Sequence, residues 1–246
     1  MTAAVSNPPD ILSARRVLCV QPHYDDNDLG AGGTISELAD RGAEIHYLTV
    51  TDDLAGVLDP SLSDAEATAR LRSEQAQAGA AIGVHSQHWL GYPDAGDWDV
   101  FAARREIIRH IRTLRPDVVF TPDPWLRHEL HPDHLRTSHA VAEACMFHGL
   151  PRIRTGAEVD RDYQPHPIRA VAFYFTAEPN LVVDVTRTRE RKHRALDAYR
   201  AQFTPEQLKS LHRGLEAKER GWASGHSFAF GEALRVLEPR RLHVDI

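Results

Sequence analysis

Short apolar runs alternate with longer stretches of helical period along most of the chain. Val17-Leu18-Cys19-Val20 is uninterrupted, as suits a strand buried on both faces, and predicts a first strand over Arg16 to Gln21. Gly30 to Gly42 follows as turn plus helix, with Thr34 to Arg41 helical and Gly42 as the stop. Glu44 to Val50 is rich in β-branched and apolar residues and predicts a second strand, before a loop over Thr51 to Ser63. Asp64 to Ile82 predicts a long Ala-rich helix, with Ser63 as N-cap and Gly83 at its end. Gln87 to Leu90 is a short strand, and Gly91-Tyr92-Pro93-Asp94-Ala95-Gly96 is a turn. In Val100 to Leu114, Ile107, Ile108, Ile111 and Leu114 share one helix face; Asp117 to Thr121 is a strand, and Ser138 to Met146 is helical.

Beyond residue 150 the pattern changes. Residues 150–167 look like loop, and Ala170 to Thr176 and Leu181 to Val185 are strands in quick succession, suggesting a hairpin. Arg187 to Phe203 and Pro205 to Arg220 read as highly charged helices. Strands alternating with helices of these lengths imply an α/β fold: a Rossmann-like, mostly parallel sheet flanked by helices on both sides, with a small C-terminal β-hairpin plus helices. Residues 1–14 are expected to form a flexible arm, and residues 15–246 a single domain.

Composition narrows the classes. A chain of 246 residues can bury one sizeable core, and 26% charged residues give no sign of disorder. A net charge of −6 without a basic stripe argues against nucleic acid as a partner. No run of 18 apolar residues exists, the N-terminal stretch lacks a signal-peptide core, and a cytoplasmic enzyme is expected. Cys19 and Cys145 fall in predicted elements and read as small core hydrophobes rather than a disulfide.

The candidate chemistry sits at two strand ends. His23-Tyr24-Asp25-Asp26 follows the first strand, and His131-Pro132-Asp133-His134 follows the strand near Phe120. In open α/β sheets ligands bind at the carboxyl ends of strands. Two adjacent carboxylates at a buried strand end need a cation or donors to offset their repulsion. A His, an Asp and a second His leave a position open on zinc, the pattern of a catalytic site.

Pro22-His23-x-Asp25-Asp26, Leu29-Gly30-x-Gly32-Gly33-Thr34 and His131-Pro132-Asp133-His134 together resemble the PIG-L or LmbE-like zinc N-deacetylases. The likeness extends to the diacetylchitobiose deacetylases among them through Asp123-Pro124-Trp125-Leu126, Pro179-Asn180, Val183-Asp184-Val185-Thr186, Gln202-Phe203 and Gly225-His226. It runs from Arg16 to Arg235. Tyr24 stands where the family usually has Pro, and Asn27 follows the two aspartates.

The resemblance implies hydrolysis of the N-acetyl group of an N-acetylglucosamine-containing substrate, one zinc per chain and a homo-oligomer. His23, Asp26 and His134 are then the metal ligands. Asp25 fits a general base that takes a proton from water; the competing role is orienting a ligating histidine. In the family, the residue matching His131 polarises the amide carbonyl, and the one matching His226 acts on the leaving amine. Arg72 and Asp94 match positions that bind sugar hydroxyls. Asp133 either orients a histidine or simply favours a helix N-terminus.

A second possibility starts from the glycines. Gly30, Gly32 and Gly33, with Asp52 about twenty residues on, make a partial dinucleotide fingerprint, so a nicotinamide or flavin oxidoreductase is the runner-up. Against it, Gln21 to Leu29 separate strand and glycines. A third, a non-catalytic zinc-binding module, predicts metal without amide hydrolysis.

Overall fold

The computed structural model describes residues 7–243. In chain order its strands are β1 (Arg16–Gln21), β2 (Glu44–Thr51), β3 (Ser86–Tyr92), β4 (Val118–Pro122), β5 (Ala170–Tyr174), β6 (Leu181–Asp184) and β7 (Gly231–Leu237). The helices are α1 (Asp26–Asp40), α2 (Asp64–Ile82), α3 (Val100–Leu114), α4 (Pro132–Phe147), α5 (Arg189–Leu196) and α6 (Pro205–Ala223). The sheet order is β3-β2-β1-β4-β5-β7-β6, and β3 through β5 are all parallel. The expected mostly parallel α/β fold is therefore present.

Alternation along β1 splits the core. Val17 and Cys19 face the layer built with α1, α2 and α5, whereas Leu18 and Val20 face α3 and α4. The strand is buried on both faces, so it shows no polar alternation. Both cysteines are free and buried, as the composition suggested. Local signals set α2 correctly: Ser63 and Glu66 form a reciprocal capping box, and Gly83 closes the helix at φ 100°.

Three expectations need correcting. β5 and β6 do not form a hairpin, because β7 lies between them and pairs antiparallel with both. Asn180 ties the start of β6 to β7: its amide donates to Val236 O at 2.9 Å and accepts from Val236 N at 2.7 Å. The helix expected over Arg187 to Phe203 ends at Leu196. Nor is the arm over residues 1–14 loose where it is described. Ile11 and Ala14 join the core, and Arg15 and Arg16 N–H groups bind Asp117 Oδ2 at 2.6 and 3.0 Å. Residues 1–6 of that arm lie outside the described residues.

The glycine stretch inside α1 has a purpose of its own. The helix breaks at Ala31 (φ −145°) and restarts, leaving new backbone donors at Gly33 and Thr34. The Glu232 carboxylate from β7 accepts from Gly33 N at 3.0 Å, Thr34 N at 2.7 Å and Thr34 Oγ1 at 2.7 Å. Its counterion is buried Lys192, with Nζ at 2.7 Å from Glu232 and 3.3 Å from Glu219. Burial alone would lower the Lys192 pKa, but the charges of Glu232 and Glu219 outweigh it and raise it. A Cβ on Gly30 would run into the Tyr174 ring, so that glycine permits a close helix–sheet approach.

These donors are the ones a dinucleotide phosphate would need, and the protein's own carboxylate already occupies them. Asp52, the acidic residue of that fingerprint, instead accepts from Leu54 N and Asp94 N at 3.3 and 3.0 Å. The oxidoreductase alternative is set aside on those two contacts. Glu232→Ala should lower stability by on the order of 3–5 kcal/mol, because it leaves two helix donors unpaired and unbalances a buried ion network. Urea unfolding checks this, and a loss below about 1 kcal/mol would show the network to be dispensable.

Candidate metal and active site

The five loops leaving the carboxyl ends of β1 to β5 meet at one edge of the sheet. The order places β1 beside β4, where the chain winds away in opposite directions, the point at which open α/β sheets bind ligands. His23 and Asp25 come from the first loop and Asp26 from the start of α1, Asp53 from the second loop and Asp94 from the third. Glu129 and His131 come from the fourth, Asp133 and His134 from the first turn of α4, and Phe175 from the fifth loop.

Asp26 is the hub. Its Oδ2 lies 3.2 Å from His23 Nδ1 and accepts the His23 backbone N–H at 2.9 Å; its Oδ1 lies 3.3 Å from His134 Nε2. One donor atom from each of His23, Asp26 and His134 falls within 4.8 Å of the others. Burial alone would raise the Asp26 pKa; His134 and His23 overcome it and hold it well below the usual carboxylate range. Conversely, burial would lower the pKa of His23, but Asp133, Asp26 and Asp94 raise it strongly. The same competition, with Asp26 as partner, raises the pKa of His134. A buried carboxylate between two imidazoles is a donor set that fits a divalent cation.

Asp25 is adjacent and buried. Burial, then the negative charges of Asp26 and Asp53, push its pKa well above normal. Asp53 adopts φ 56° and accepts the Tyr24 N–H at 2.9 Å. Burial is the main reason its pKa rises to about 7.

His131 caps α4, and its Nδ1 accepts the Asp133 N–H at 3.3 Å. That bond leaves the proton of the neutral ring on Nε2, where it can be donated. Burial and the charges of His23 and His134 lower its pKa, which favours the neutral ring. The three imidazoles cluster: the His131 centroid is 4.6 Å from His23 and 5.1 Å from His134.

Asp133 accepts from Ala95 N at 2.7 Å and Trp98 Nε1 at 2.9 Å, and its Oδ2 lies 3.8 Å from His23 Nε2. It is thus tied to the histidine as well as to the helix start. Asp94 is not a surface charge: Oδ1 lies 3.2 Å from His23 Nε2, and Oδ2 accepts Ala55 N at 3.1 Å. Arg72 remains exposed but is aimed, with its guanidinium 4.8 Å from the centre of the Trp89 ring. It also lies beside the buried Tyr24 hydroxyl, whose pKa is raised by burial and lowered by Arg72.

The structure does not bring His226 into this group. It is exposed in the turn after α6 and stacks on Phe228 with centroids 4.8 Å apart. Three residues join the site without having been singled out. Asp53 is next to the noted Asp52, and Glu129 sits two residues before His131, so proximity was the only signal for either. Phe175 carried none: it holds a strained φ of 56° and lies almost parallel to His134, at 6.2 Å and 8°.

Residues 18–145 match the family model described as PIG-L, GlcNAc-PI de-N-acetylase. The diacetylchitobiose deacetylase of Thermococcus kodakarensis is 36% identical over 233 residues, covering 94% of this chain and 86% of that protein. The solved N,N'-diacetylchitobiose deacetylase of Pyrococcus horikoshii superposes with a TM-score of 0.87 at 33% identity, covering 95% of this chain and 87% of that one. A probable N-acetyl-alpha-D-glucosaminyl L-malate deacetylase of Bacillus cereus is 29% identical over 217 residues, 83% of this chain and 91% of that protein. With the strand-end His/Asp cluster in place and similarity running nearly end to end, the chain belongs to the PIG-L family of de-N-acetylases.

Proposed function

We propose that this protein is a zinc-dependent N-deacetylase. It removes the acetyl group from an N-acetylglucosamine-containing substrate and releases acetate and a free amine. A chitin-derived disaccharide or monosaccharide fits this reading, as does another conjugate of the same sugar. The observation that carries it is Asp26 held between His23 and His134, with Asp25 buried alongside.

His23, Asp26 and His134 would hold the metal. Bound there, zinc supplies Lewis-acid chemistry that makes water nucleophilic at neutral pH. Asp25 accepts the proton of the attacking water and can return it to the departing nitrogen. His131, neutral with its proton on Nε2, donates a hydrogen bond to the oxygen that gains charge. Arg72 and Asp94 bind and orient the sugar, with Asp94 also backing His23. Asp133 holds His23 and the start of α4 in register.

His226 has no partner in the cluster and stays outside this assignment. Residues 15–246 are read as one domain, since a single sheet connects all the loops involved. No helix among the described residues is long and apolar enough to cross a membrane. A cytoplasmic location and a homo-oligomer belong to the same proposal, by family resemblance. An acetate-release assay over N-acetylglucosamine conjugates, with zinc added, tests the activity; no release from any of them would refute it.

Three outcomes follow from the roles given. Asp25→Asn should keep the fold and most of the zinc but lose about 10²–10⁴-fold in kcat, the usual cost of losing a general base. Near-normal turnover with full zinc would exclude that role. Arg72→Ala should lower kcat/KM by roughly tenfold or more, the worth of one charge-assisted contact, with metal content unchanged. Unaltered kinetics would return Arg72 to an ordinary surface charge.

The third concerns protons. The raised pKa keeps His23 protonated at neutral pH without metal, whereas ligation needs its lone pair. Zinc binding should therefore expel protons, and affinity should rise with pH and fall as pH is lowered. Calorimetric titration in buffers of different ionisation enthalpy reads this directly; identical heats in all buffers would contradict it.

A further inference from the structure

Glu129 lies in the loop between β4 and α4 and touches two parts of the site at once. Its Oε1 accepts the His131 backbone N–H at 2.8 Å. Its Oε2 lies 3.3 Å from His134 Nδ1. The other nitrogen of that ring, Nε2, faces Asp26 Oδ1 at 3.3 Å. His134 Nδ1 is shut off from solvent and has no hydrogen bond of good geometry. A buried ring N–H needs an acceptor, and a small turn of the Glu129 carboxylate supplies one.

His23 is built the same way. Its Nδ1 lies 3.2 Å from Asp26 and its Nε2 lies 3.2 Å from Asp94. Each histidine thus turns one nitrogen to the hub and the other to a carboxylate. Such outer carboxylates fix which nitrogen carries the proton, orient the ring and raise its basicity toward a metal.

We propose that Glu129 is a positioning residue for the metal. It accepts the Nδ1 proton of His134 and so presents Nε2 to the cation. Through the N–H of His131, the N-cap of α4, it also sets the helix start, whose first turn carries His134. Phe175 lies parallel to the His134 ring, with centroids 6.2 Å apart, while Glu129 sets the ring's rotation. This assignment rests on His134 being a ligand.

The test compares wild type, Glu129→Ala, Glu129→Gln and His134→Ala as full chains stripped of metal. Cobalt(II) is titrated into each, and the dissociation constant and visible absorption band are recorded. Circular dichroism melts of the stripped proteins report the fold. Glu129→Ala should weaken cobalt binding by about 10- to 100-fold and shift the band. Glu129→Gln keeps an acceptor but loses the charge, so its loss should be smaller. Wild-type affinity and band in Glu129→Ala, with only a lower melting temperature, would overturn the proposal and leave Glu129 as a loop tie. If Glu129→Ala does not fold, Glu129→Gln decides: weakened binding supports the role, and unchanged binding and band refute it. His134→Ala separates the two layers of the argument, because unchanged affinity there would overturn the ligand assignment itself.

Discussion

A buried turn has to find partners for every backbone polar group it takes out of water. The turn from Gln21 to Asp28 is buried throughout, and its partners come from much of the molecule. The Tyr24 carbonyl alone accepts from Gln21 Nε2 at 3.1 Å, Gln75 Nε2 at 3.1 Å and Tyr199 Oη at 2.9 Å. Pro22 O takes Thr51 N and Oγ1 at 3.0 and 2.8 Å, and Asn27 N donates to Gln21 Oε1 at 2.8 Å. Asp28, at the end of the turn, is clamped by Tyr47 and Tyr199 hydroxyls at 2.7 and 2.6 Å. Burial is what raises its pKa, to about 6, against those bonds. Helix α2, the segment after α5 and strand β2 therefore set where His23, Asp25 and Asp26 can point.

That rigidity matters because the electrostatics are unfavourable without help. Asp25, Asp26, Asp53, Asp94 and Asp133 bring five buried carboxylates together at the strand ends. Three imidazoles answer them, and His131 is pushed toward neutrality. The strain shows in opposite directions at neighbouring residues: Asp26 is held ionised, whereas Asp25 and Asp53 are pushed toward the neutral form. A neutral Asp25 cannot accept a proton. A cation at the Asp26 hub favours the charged form of every carboxylate nearby. The proposed metal would then have two effects, activating water and returning Asp25 to the state in which it can act as a base.

Much of this was legible along the chain. A strand buried on both faces needs an unbroken apolar run, so β1 and β4 showed themselves. Capping chemistry is local, so the limits of α2 were readable to the residue, and the apolar face of Val100 to Leu114 marked α3. The two His/Asp stretches stood out because carboxylates and imidazoles at strand ends are costly unless they bind something. Helix starts at those stretches were less visible: α1 opens at Asp26 and α4 at Pro132, so Asp26 and His134 lie within the first helical turns while His23 stays in the loop before α1.

What tertiary structure alone decided has one common cause, namely contacts between residues far apart in sequence. Strand β7 inserts between β5 and β6, although two helices separate it from β6 in the chain. The glycines after the first loop looked like a phosphate cradle until Glu232, 199 positions from Gly33, filled it. Asp94, read as a sugar contact, proved also to face His23 across 71 positions. Sequence by itself determined which residue types stand at the strand ends and which family they mark. Only the fold decided which nitrogen of each histidine faces the hub and which carboxylate stands behind it. Those depend on distances between separate loops, and no local pattern encodes a distance.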